Sequence, residues 1–93
     1  MEEEKWMSQP LITLGVMAKI LNRKSSEIKA LIRYGLIAPS KNGRQNLFSI
    51  NDIETAREIF DVIGDNKDLQ IIRVLMKKGL LLGRILELLR EKR

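Results

Sequence analysis

Histidine and cysteine are both absent from the 93 residues. That removes disulfides, thiolate and imidazole metal ligands, cysteine nucleophiles and the side chain most used as a general base. A carboxylate-only enzyme needs acids set among apolar residues so that their ionisation is perturbed. No pair of acids in this sequence has such neighbours, so no catalysis, metal or cofactor is expected. Also missing is a run of about 18 apolar residues, the length a membrane-spanning helix requires. The opening Met-Glu-Glu-Glu-Lys is the reverse of a basic signal-peptide start, and a cytoplasmic protein with no membrane contact is expected.

Acids are scarce in one half only. Residues 5–49 carry Lys5, Lys19, Arg23, Lys24, Lys29, Arg33, Lys41 and Arg44 against Glu27 alone, a net +7. Residues 50–68 reverse the sign, with Arg57 and Lys67 against Asp52, Glu54, Glu58, Asp61, Asp65 and Asp68, a net −4. Such segregation suits a basic N-terminal half that faces a polyanion, backed by a support helix that faces elsewhere.

What is present is enough for one small domain. An apolar share of 44 % against 31 % charged residues places the chain among folding sequences. Its length allows a single core, expected over residues 11–93 behind a flexible leader of residues 1–10 that carries Trp6. The organising stretch is Leu14 to Tyr34. Leu14, Met17, Ala18 and Leu21 recur at helical spacing, as do Ile28, Leu31 and Ile32, with the polar break Asn22-Arg23-Lys24 between the two sets. Two short helices joined by a tight turn are predicted, Leu14 to Leu21 and about Ser25 to Tyr34. Thr13 is placed to cap the first, Ser25 or Ser26 the second, and Asn22 and Gly35 to stop them. Lys19, Arg23, Lys24, Lys29 and Arg33 then stand on the outward side, where a phosphate backbone is attracted.

Beyond Gly35 the pattern becomes β-prone. Leu36-Ile37-Ala38-Pro39 and Leu47-Phe48 flank a turn-rich basic tip, and Asn42-Gly43 is a strong hairpin signal. Lys41 and Arg44 flank that turn, within reach of a neighbouring phosphate or minor groove. Ser49-Ile-Asn-Asp52 reads as a capping box that opens a helix to about Ile63, buried through Ile50, Ile53, Ile59, Phe60 and Ile63. After the break Asp65-Asn-Lys-Asp68, a further helix from Leu69 to Lys78 is predicted, stopped by Gly79. The last helix, residues 80–93, is apolar over more than one face. Self-association through Leu81, Leu82, Ile85, Leu88 and Leu89 is the simplest cover for it. The competing cover is packing within the same chain.

Read together, these motifs resemble the N-terminal DNA-binding domain of MerR-type transcriptional regulators. Ile12 to Leu21 is similar to that family's opening helix, Tyr34-Gly-Leu-Ile-Ala-Pro39 to its link into the wing, and Leu47-Phe-Ser-Ile-Asn-Asp-Ile53 to its exit from the wing. Leu69 to Gly79, with Leu82 and Ile85, is similar to its last paired helices, and the resemblance spans residues 11–89. The sequence departs from the pattern at Glu27, Lys29 and Leu31, where Thr, Arg and Tyr are common, and at Asn46, where an Arg is expected. About a dozen residues near Thr55 to Lys67 look inserted. The resemblance implies a mostly α, winged helix-turn-helix fold with a small two-stranded wing and three further helices. It implies sequence-specific double-stranded DNA binding as a homodimer, with no small-molecule effector evident. The DNA-contacting set is then Lys19, Arg23, Lys24, Ser25, Ser26, Lys29, Arg33, Lys41 and Arg44. Two alternatives stay open: an excisionase-like architectural DNA-binding protein, and a protein-interaction adaptor on the same scaffold without DNA binding.

Overall fold

The structure is a computed structural model and describes residues 11–64 and 66–91; the leader with Trp6 lies outside them. The element order is β1 (Ile12–Thr13), α1 (Leu14–Leu21), α2 (Ser25–Arg33), β2 (Ser40–Asn42), β3 (Gln45–Phe48), α3 (Ile50–Val62), α4 (Asn66–Lys77) and α5 (Leu82–Glu91). Among the described residues the chain is mostly helical, with five helices and one small antiparallel sheet.

Local chemistry sets the boundaries. Thr13 caps α1, its Oγ1 accepting from the Val16 N–H at 3.4 Å. Asn22 takes the left-handed conformation (φ 56°, ψ 47°) and closes the helix, and the Arg23 N–H reaches back to the Ala18 carbonyl at 3.0 Å. Ser49 and Asp52 exchange side-chain bonds with each other's backbone N–H groups at 3.2 and 3.0 Å, so α3 starts on the expected capping box. α4 begins at Asn66, three residues before the predicted start at Leu69. Asp68 lies in its first turn and accepts from the Gly64 N–H at 2.6 Å, so part of the expected break is helix.

The sheet has three strands rather than the expected two, in the order β1-β3-β2. A capping residue needs extended backbone, and Thr13 supplies it (φ −80°, ψ 167°). Ile12 and Thr13 can therefore lie along the free edge of β3, opposite Phe48 and Leu47. On the other edge Ser40, Lys41 and Asn42 pair with Leu47, Asn46 and Gln45. Because Asn42 is paired, the two-residue turn is Gly43-Arg44, one position later than Asn42-Gly43. Gly43 at φ 67° takes the first turn position, where a hairpin of type II′ requires glycine. Leu36 and Ile37 are buried in the link before β2 and belong to no strand.

Every helix and β3 contribute to one core. Met17, Ile28, Leu31, Phe48, Ile59, Ile72 and Ile85 are wholly buried, with Leu69, Val62 and Leu86 almost so. Ile50 is an exception to the predicted buried side of α3: at the first helical position it projects before the packed turns and stays 44 % exposed. α4 and α5 form an antiparallel-type hairpin through the Gly79 turn (φ 100°), and α5 also packs on α3. Among the described residues no polar or charged residue is buried, so the charge sits at the surface. No helix described is long and apolar enough to cross a membrane.

Candidate nucleic-acid interface

α2 is seated mainly on α1 and leaves its other side to solvent. Ile28, Ala30 and Leu31 turn inward, while Ser25, Ser26, Lys29 and Arg33 are exposed. Positions 26, 29 and 33 follow one another by three and four residues, so they form one stripe along the helix. Leu31, where the resemblance led to a polar residue, is fully buried and serves as core.

Glu27, the single acid of the basic half, lies off the outward stripe and is bonded within the start of its own helix. Its Oε1 accepts from the Lys24 N–H at 2.9 Å, closing the first turn of α2 from within. Its Oε2 lies 3.4 Å from the Arg23 guanidinium. The expected capping by Ser25 or Ser26 is corrected accordingly. Lys24 occupies the cap position in extended backbone, and the Glu27 side chain does the capping, which releases both serines into the first turn.

Arg23 has structural partners as well. Its guanidinium carbon sits 4.7 Å from the centre of the Phe60 ring, and the same group donates to the Phe60 carbonyl at 3.3 Å. Arg23 therefore ties the α1–α2 turn to the end of α3, across a separation of 37 in sequence. With Lys19, Lys24, Asn22 and Glu27 it lines an open hollow of about 490 Å³ at the N-terminal end of α2. Lys19 and Lys24 are exposed there.

A second basic hollow, of about 340 Å³, lies at the other end of α2. Arg33, Tyr34 and Gly35 form one wall, and Arg73, Met76 and Lys77 of α4 the other. The Arg73 guanidinium is 5.9 Å from the centre of the Tyr34 ring. Arg73 and Lys77 are absent from the predicted site. Their spacing of four on the polar side of α4 is visible in sequence, but only the packing of α4 beside the end of α2 joins them to Arg33.

Lys41 and Arg44 line neither hollow. Both are exposed on the β2–β3 hairpin, whose tip points away from the base paired with β1. Lys41 stands directly across from Asn46. Position 46, where the resemblance led to an arginine, thus shares its face of the sheet with Lys41.

The five residues predicted for self-association divide. Ile85 is wholly buried in the chain's own core and Leu82 and Leu89 pack against it, which removes Ile85 from any partner surface. Leu81 is 78 % exposed and Leu88 37 %. Ile71 and Val74 of α4, missed because the helical stripe was drawn through Leu69, Ile72, Leu75 and Met76, are about half exposed at 45 % and 51 %. Ile71 and Leu75 share an open groove with Leu88 and Leu89. Comparison with protein families, with curated proteins and with solved structures finds no match for this chain.

Proposed function

We propose that this protein binds double-stranded DNA as a small MerR-like winged-helix regulator, with α2 in the major groove and the β2–β3 hairpin as a wing on the flanking backbone. The observation that carries the proposal is the outward stripe of α2, where hydroxyls and cations stand with no acid among them because Glu27 is consumed in its own helix cap. Lysine and arginine pair with guanine edges or phosphates, and serine hydroxyls with either kind of partner. Lys41 and Arg44 at the hairpin add cations that can hold a backbone outside the groove.

A polarisation titration against random duplex at several salt concentrations tests it. Lys29→Ala combined with Arg33→Ala should lower the slope of log K against log salt by roughly two units if both meet phosphates, or erase sequence preference if they meet bases. Unchanged affinity of the double variant at low salt removes α2 from the groove. A protein-interaction adaptor is the second reading, favoured by the exposed Ile71 and Val74. It predicts partner binding with little salt dependence.

A further inference from the structure

We infer that Arg33, Arg73 and Lys77 form a phosphate seat at the C-terminal end of α2 that holds the backbone of a duplex whose groove α2 enters. The inference rests on the DNA-binding proposal and extends its footprint to α4, a helix with no predicted functional residue. Two observations meet here. The hollow is lined by three cations and no acid. Arginine presents a planar fork that matches phosphate oxygens two at a time, and Arg73 is already steadied over the Tyr34 ring. Like charges crowded around one hollow repel, and an anion between them relieves that repulsion.

Ser26 and Lys29 lie on the exposed stripe of α2 ahead of Arg33. In this arrangement Arg33 belongs with the backbone contacts, and base reading falls to the first two turns of α2.

The test is a salt titration of the full chain on a duplex of about 20 base pairs, with Arg73→Gln plus Lys77→Gln compared with Arg57→Gln plus Arg90→Gln. Both pairs remove two charges from exposed positions. The seat pair should lower the salt slope by about two units and weaken binding tenfold to a hundredfold near ~0.1 M salt, with the preferred sequence unchanged. The control pair should leave the slope nearly as in the parent, and far-UV circular dichroism should be the same for all three proteins. Equal effects of the two pairs overturn the seat while leaving DNA binding standing. A change in preferred sequence overturns it too, by making Arg73 or Lys77 a base reader. Should inorganic phosphate alone raise the parent's melting temperature through these residues while duplex binding ignores them, the hollow belongs to a small free anion. No duplex binding by the parent at low salt removes both proposals together.

Discussion

Glu27 offers a perturbation whose effects on stability and on binding have opposite signs. Glu27→Ala removes the 2.9 Å bond to the Lys24 N–H, the first-turn acid of α2 and the 3.4 Å ion pair with Arg23. The bond contributes about 1 kcal/mol, and a carboxylate in the first turn about 0.3–1 kcal/mol through the helix dipole. The ion pair, with side chains 38 % and 40 % exposed, adds only a few tenths because solvent screens it. The loss should total about 1–2 kcal/mol, a fall in melting temperature of roughly 4–16 °C for a domain this size. Glu27→Gln keeps an acceptor for the cap and drops only the charge, so about half of that loss is expected. On duplex DNA both variants should bind more tightly than the parent, because a negative charge has left the hollow beside the outward stripe of α2. Urea denaturation followed by circular dichroism and polarisation at fixed salt provide the two readouts. If either variant binds more weakly or changes its preferred sequence, Glu27 contacts the nucleic acid, and the acid-free face of α2 is refuted.

The C-terminal segment carries two further tests. Ile85→Ala should cost about 2–4 kcal/mol, since Ile85 is wholly buried and its truncation leaves a cavity, whereas Leu81→Ala at 78 % exposure should cost under about 0.5 kcal/mol. Equal costs in urea titrations would mean that Ile85 is not a core residue. Sedimentation at micromolar concentration reads the self-association that exposed Leu81, Leu88, Ile71 and Val74 leave open: a single species of 10.7 kDa removes the dimer, while a species of twice that mass lost in Ile71→Glu assigns it to the groove that Ile71 and Leu75 share with Leu88 and Leu89.

Features that depend on neighbours along the chain were legible from composition and spacing. Helical periodicity at Leu14, Met17, Ala18 and Leu21 and at Ile28, Leu31 and Ile32, the left-handed Asn22, the capping box Ser49-Asp52 and the stop at Gly79 all involve groups within a few residues of each other. The outward cations of α2 followed from the same periodicity, because burying one side of a short helix dictates which residues remain outside.

Competition between partners far apart in sequence was decided only when the helices packed. Arg23 found the Phe60 ring and carbonyl only because α3 ends beside the α1–α2 turn. The third strand formed because Ile12 and Thr13 met the open edge of β3. The division of α5 into buried Ile85 and exposed Leu88 was set by α3 and α4, which cover one side of a helix apolar on more than one. Periodicity names the side that is apolar; only tertiary contact determines how much of it is covered, and which cations from different helices share one hollow.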